Sequence, residues 1–239
     1  MIRKTVSFII PAYNEEKNIE SVIKKIHIVA NKYCKDYEII AIDDGSNDRT
    51  WTLLNKLAIK DRKIKVIHNK KNMGMGYSYF CGVKIAHNQY TMIVFGDNDH
   101  SVESMAKILS CQGRADIVIA YYKNLHLSKT WLRHVISITY THIINWITGL
   151  SIAYYNGMTM YRTELLKKVP RFSSGFGFQA ETIVYLIKNG AKYVEVDIFN
   201  EERKSGSSAA FRIKNVISVL FSFCRLTWHY KIHSRTLIK

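Results

Sequence analysis

Between residues 6 and 120 the chain alternates short apolar runs with longer stretches of helical period. Val6-Ser7-Phe8-Ile9-Ile10 ends at Pro11 and has the length of a strand buried on both faces. Ile19, Val22, Ile23, Ile26 and Ala30 then recur at helical spacing, with Lys24 and Lys25 on the opposite side. Glu38 to Ile42, Lys65 to His68, Thr91 to Phe95 and Ile117 to Ala120 repeat the strand pattern. Between the first three of these runs lie a helix carrying Leu53, Leu54 and Leu57 and another ending near Ala86. Strands that alternate with helices predict an α/β domain with a mostly parallel central sheet flanked by helices. Ligands of such sheets sit at the carboxyl ends of the strands.

Past Tyr121 the pattern changes to amphipathic stretches (Leu132 to Trp146, Phe178 to Lys188, Ile213 to Trp228) and two strand-like pieces, Met158 to Tyr161 and Tyr193 to Val196. No linker, repeat or low-complexity tract separates the halves. Residues 1–239 therefore read as one domain, with 1–121 as a ligand-binding half and 122–239 completing it. Hydrophobic residues make up 47% and charged residues 23%, which is globular rather than disordered.

The formal net charge of +16 calls for an anionic partner: lipid headgroups, phosphorylated substrates or nucleic acid. No helix-turn-helix, zinc knuckle or RNA-binding aromatic motif is present, so nucleic acid is not expected. Cys34, Cys81, Cys111 and Cys224 stand far apart, as in a reduced cytosolic chain. The apolar run before Pro11 is too short for a signal peptide. From His134 to Tyr161 there is no Asp, Glu, Lys or Arg, which is long enough to cross a bilayer. Its Ser, Thr, His and Asn residues and Gly149 favour helices lying on a membrane surface or in a core.

Three polar clusters follow three of the expected strands: Tyr13-Asn14-Glu15, Asp43-Asp44 and Asp97-Asn98-Asp99. In a parallel sheet these loops share one rim. Crowded carboxylates repel unless a cation or a donor-rich ligand neutralises them. A hard divalent ion held by two carboxylates and substrate phosphate oxygens answers that requirement. Asn72-Met73-Gly74-Met75-Gly76 either lets backbone approach a diphosphate or simply opens the following helix. It is not the dinucleotide fingerprint, because the next glycine is Gly82.

The stretches from Val6 to Glu16, Ile42 to Thr50, Asn72 to Gly76 and Gly96 to Asp99 together resemble the inverting glycosyltransferases of family 2. Phe178-Gln179-Ala180-Glu181, Glu195-Val196-Asp197 and Arg203 to Ser208 are similar to the dolichyl- or polyprenyl-phosphate mannosyl- and glucosyltransferases within it. The chain departs from that group at Gly96 and Asn98, at Tyr154 to Met158, and at Ala209, where a lysine is common. The resemblance implies a GT-A type, Rossmann-like fold with amphipathic membrane-surface helices in the second half. It implies that Pro11, Tyr13, Glu15 and Gly74 line the nucleotide-sugar pocket and that Asp44 accepts a hydrogen bond from the base. Asp97 and Asp99 would hold the Mg2+ or Mn2+ that bridges the diphosphate, with Asp99 catalytic. Arg133, Arg203 and Ser208 would contact the diphosphate or the acceptor phosphate, with Arg203 also catalytic.

The implied partners are a nucleotide-diphosphate sugar donor, a polyprenyl phosphate acceptor and the anionic cytoplasmic face of a membrane. A lipid phosphate is already ionised near neutral pH, its second pKa being about 6, and needs no general base. A glycan or lipid-linked oligosaccharide hydroxyl would need one, and Glu181 is then the candidate. A third reading is a catalytically inactive basic module that binds membranes.

Overall fold

A computed structural model describes residues 3–123, 131–170, 174, 175, 177–199, 221–228 and 230, with side chains described from 134 in the second of these stretches. Seven strands form one sheet: β1 (Thr5–Ala12), β2 (Asp36–Asp43), β3 (Ile64–His68), β4 (Tyr90–Ile93), β5 (Ile117–Tyr122), β6 (Thr159–Arg162) and β7 (Tyr193–Ile198), in the spatial order β3-β2-β1-β4-β6-β5-β7. β1 pairs in parallel with β2 and β4, β2 with β3, and β5 with β7. β6 pairs antiparallel with both β4 and β5, so one strand alone runs against the rest. The expected α/β architecture is therefore present, with this reversal added.

Successive residues of a strand face opposite sides of the sheet, and the chain buries both. Phe8 and Ile10 belong to one cluster, packed with Ile19, Ile23 and Ile26 of α1 (Ile19–Tyr33), Leu54 of α2 (Thr50–Lys60) and Met105 and Ile108 of α4 (Val102–Leu109). Ile9 belongs to the other, packed with Tyr79 and Val83 of α3 (Met75–Ile85), Ile144 of α5 (Trp131–Thr148) and Ile183 of α7 (Phe178–Lys188). A short turn of helix, α6 (Thr163–Leu166), follows β6. α4 begins at Ser101, whose hydroxyl accepts from the Ser104 N–H at 3.0 Å, an N-cap that satisfies one of the helix's orphan donors.

The uncharged stretch of 134–161 does not form one span. α5 stops at Thr148, Gly149 takes a left-handed φ of 67°, and the segment ends inside β6. No helix among the described residues is long and apolar enough to cross a membrane. α5 instead buries Tyr140, Ile144 and Ile147 and leaves Val135, Ile136, Ile138 and Trp146 exposed. Of the expected Ile213–Trp228 helix, 221–227 is helical and 213–220 lies outside the described residues. All four cysteines are free thiols.

Candidate active site

Because β2, β1 and β4 are parallel neighbours, the loops that follow them lie side by side along one edge of the sheet. Their side chains lock them together. Asn14, at a φ of 58°, accepts from the Asn47 N–H at 2.8 Å and donates its own N–H to the Ser46 hydroxyl at 2.9 Å. The Glu15 N–H donates to Thr50 Oγ1 at 2.8 Å and that of Glu16 to Asp48 Oδ2 at 3.1 Å. Glu15 also caps α1: its carbonyl accepts from the Asn18 and Ile19 N–H groups, and its carboxylate from Asn18 Nδ2 at 2.8 Å. Tyr13 stands half-buried beside this zipped pair of loops, and Pro11 is buried at the penultimate position of β1.

Gly96 lets the loop after β4 close onto the end of β1 and the loop that follows it. A Cβ there would stand 3.1 Å from Glu15 Cγ and 3.5 Å from the Pro11 carbonyl. Asn98 follows at a φ of 62°, a left-handed conformation that asparagine tolerates better than most residues. Its side chain accepts from the Ser21 hydroxyl at 3.4 Å. Asp97 and Asp99, on either side, are both half-buried.

Two aromatic residues that carry no motif complete this corner. His100 is 4% exposed and stacks parallel on Tyr122, ring centroids 6.1 Å apart, and Tyr122 meets Tyr154 edge-on at 5.4 Å. Burial of the Tyr122 hydroxyl pushes its pKa well above the ordinary value, with Tyr154 and the negative charges of Asp97 and Asp99 adding to the shift. The stack on His100, the residue after Asp99, sets Tyr122 beside the acidic turn.

Asp44 is 3% exposed and already well supplied with donors: Met73 N–H and Asn69 Nδ2 on one oxygen, Gly74 N–H on the other, each at 2.9 Å. Gly74 has a φ of 96°, and a Cβ on it would lie 2.5 Å from the Ser174 carbonyl. The Gly76 N–H donates to that same carbonyl at 2.9 Å. The glycine-bearing loop is thus clamped between Asp44 and the segment leading into α7, and the Gly74 N–H is turned toward Asp44.

Glu181 sits in the first turn of α7, 1% exposed, with Arg225 Nη1 3.3 Å from its Oε2. Burial raises its pKa, against the opposing pull of the Ser222 hydroxyl and Arg225. It therefore lies beneath the 221–228 helical segment. Arg203 and Ser208 lie outside the described residues, and Arg133 is described only through the backbone of α5.

Among the described residues no three His, Cys, Asp or Glu side chains form a group that could hold a metal ion. Asp97 and Asp99 supply two hard oxygen donors, the set that a divalent ion completed by ligand phosphate oxygens and water accepts.

Residues 7–170 match the profile described as glycosyl transferase family 2. The chain belongs to that family. The family 2 chain is 31% identical over 212 residues to a polyprenol monophosphomannose synthase of Mycolicibacterium smegmatis, covering 84% of this chain and 78% of that one. It is 28% identical over 210 residues to an undecaprenyl-phosphate 4-deoxy-4-formamido-L-arabinose transferase of Pectobacterium atrosepticum, covering 86% and 62%. Among solved structures it resembles glucosyl-3-phosphoglycerate synthase of Mycobacterium tuberculosis in complex with Mn2+, UDP and glucosyl-3-phosphoglycerate. The TM-score is 0.66 at 19% identity over 93% of this chain and 80% of that one. The fold is thus of the GT-A kind, and the family 2 chain is a glycosyltransferase rather than an inactive basic module.

Proposed function

We propose that this glycosyltransferase moves one sugar from a nucleotide-diphosphate sugar to a polyprenyl phosphate at the cytoplasmic face of a membrane. The observation that carries the reading is the single rim on which the loops after β2, β1 and β4 set Asp44, Glu15 and the Asp97-Asn98-Asp99 turn side by side. The 1–121 half supplies this donor side, and 122–239 supplies the acceptor and membrane side.

Displacing a nucleoside diphosphate passes through an oxocarbenium-like state while negative charge grows on the leaving phosphate. Asp97 and Asp99 would hold a Mg2+ or Mn2+ ion, which when bound offsets that charge as a Lewis acid. Pro11, Tyr13 and Glu15 wall the nucleotide side. Asp44, oriented by three donors, keeps acceptor capacity for one further N–H, since a carboxylate offers about four lone-pair sites. Arg133, Arg203 and Ser208 are assigned to the diphosphate and acceptor phosphate.

Glu181 supports a lipid phosphate acceptor over a glycan hydroxyl. It is 1% exposed and covered by the segment that carries Ser222 and Arg225, so it is poorly placed to take a proton from an incoming hydroxyl. An ionised phosphate asks for no base. The names of the polyprenyl-phosphate relatives point the same way. For the membrane, α5 exposes Val135, Ile136, Ile138 and Trp146, and the 221–228 segment adds Phe221 and Trp228. The two are joined where the rings of Tyr140 and Phe223 stand 5.4 Å apart. Such a face suits the boundary between headgroups and acyl chains.

The test is a panel of radiolabelled nucleotide sugars offered with polyprenyl phosphate and Mg2+ or Mn2+. Label in the organic-extractable lipid, lost in Asp97→Asn and Asp99→Asn, is the expected result. Transfer only to a glycan hydroxyl would overturn the acceptor, and no transfer or hydrolysis with any donor would overturn the reaction.

A further inference from the structure

At the edge of the sheet opposite the acidic rim lies a cleft of about 910 Å³, lined by residues that precede β1, β4 and β5 or end the reversed strand β6. Lys4, Arg114, Arg162 and Lys167 line it, against one acidic residue, Glu164. Lys4, Arg114 and Lys167 make no ion pair among the described residues. Arg162 is paired: its Nε stands 2.8 Å from Asp116 Oδ1, and its guanidinium lies 5.8 Å from the centre of the Tyr90 ring. The walls are pinned as well. The Gly113 N–H donates to the Tyr90 hydroxyl at 3.1 Å, and the Lys4 N–H to Gln112 Oε1 at 2.7 Å.

We propose that this cleft is a second anion-binding site, for a ligand bearing phosphate, distinct from the glycosyl-transfer site. Three cations without an ion-pair partner among the described residues, Lys4, Arg114 and Lys167, line one concave space and lower the free energy of an anion there, and the arginine fork suits phosphate oxygens in particular. The volume is that of a small-molecule site rather than a flat protein contact. β1 separates the two sites: its eight residues, Thr5–Ala12, span roughly 23 Å at about 3.3 Å per residue, so one small ligand does not reach both. The phosphate could belong to a soluble ester or to a lipid headgroup.

Inorganic phosphate is titrated into the nitrogen-15-labelled protein while the amides of Gly113 and Thr163 are followed beside those of residues 96–99. The expected result is a shift at the cleft amides that becomes roughly tenfold weaker in Arg114→Gln/Lys167→Gln, two exposed positions, with the rim amides unaffected by the substitutions. Vesicles of phosphatidylglycerol then separate the sources. Vesicles that displace phosphate from the cleft make the ligand a headgroup, and vesicles that leave it in place make it a soluble ester. Cleft amides unmoved by phosphate in the wild-type protein would overturn the site, as would equal phosphate and vesicle binding by the wild type and the double variant.

Discussion

Glu181 shows how one buried carboxyl ties stability to mechanism. Its pKa is raised above the ordinary 4.5, chiefly by burial. A raised value in the folded state means that the associated stability is fully present below the unfolded value and is lost as pH rises through the folded one. Glu181→Gln should therefore flatten the fall in melting temperature as pH rises from about 4.5 toward neutrality. The same variant should retain most of the transfer to polyprenyl phosphate, because no base is withdrawn. A loss of a hundredfold or more, the scale of general-base catalysis, would favour the hydroxyl-acceptor mechanism instead. At this scale the sequence was informative where chemistry is written into residue type. Asp44, Asp97 and Asp99 declare themselves by charge, by turn spacing and by the apolar runs before them. Tyr122 and His100 do not, since an aromatic residue at the end of a strand reads as core until the pairing of β5 brings it beside the acidic turn. The donors around Asp44 were equally hidden, because Asn69, Met73 and Gly74 reach it only through the fold of their loop.

Among the elements, the contact between α7 and the 221–228 segment is the most demanding sterically. A Cβ on Gly177 would collide with Ser222 Oγ. Gly177→Ala should push that segment away and free the Arg225–Glu181 pair, whereas Gly177→Ala/Ser222→Gly should restore the docking. Faster proteolysis within 221–228 in the single variant, reversed in the double, is the expected outcome. Transfer activity should follow the same order if the segment closes over the acceptor. Periodicity revealed β1 to β5 and α1 to α3 because apolar runs and helical spacing are local signals. It gave no direction to β6: four residues, Thr159–Arg162, carry no mark of running antiparallel. α4 was not expected either. It is eight residues long, and its apolar positions follow directly on the acidic turn that held the functional reading.

At the scale of the whole molecule, the proposed membrane role rests on net charge and exposed apolar side chains together. In that proposal the +16 charge would favour anionic headgroups, and exposed aromatic residues of α5 and the 221–228 segment would serve as anchors. Trp146 and Trp228 are 73% and 63% exposed. Trp146→Ser/Trp228→Ser should weaken partitioning onto phosphatidylglycerol vesicles by about tenfold or more, in keeping with the apolar area withdrawn. Soluble transfer to a short-chain acceptor should change little. High salt should weaken vesicle binding in wild type and variant alike, as screening of surface charge requires. Unchanged partitioning in the double variant would show that another face meets the lipid.

The reversed strand has a further consequence, for how the chain is made. β5 touches no strand from its own half of the sequence: its neighbours are β6 and β7, which are synthesised later. On the ribosome, β1 to β4 can pair as they emerge, but Ile117–Tyr122 must wait with both edges open until residues up to 198 have appeared. Sheets closed by such distant pairings form slowly and expose adhesive edges meanwhile. A chain halted near residue 150 would carry its acidic turn beside an unfinished sheet, a target for chaperones rather than a smaller working enzyme.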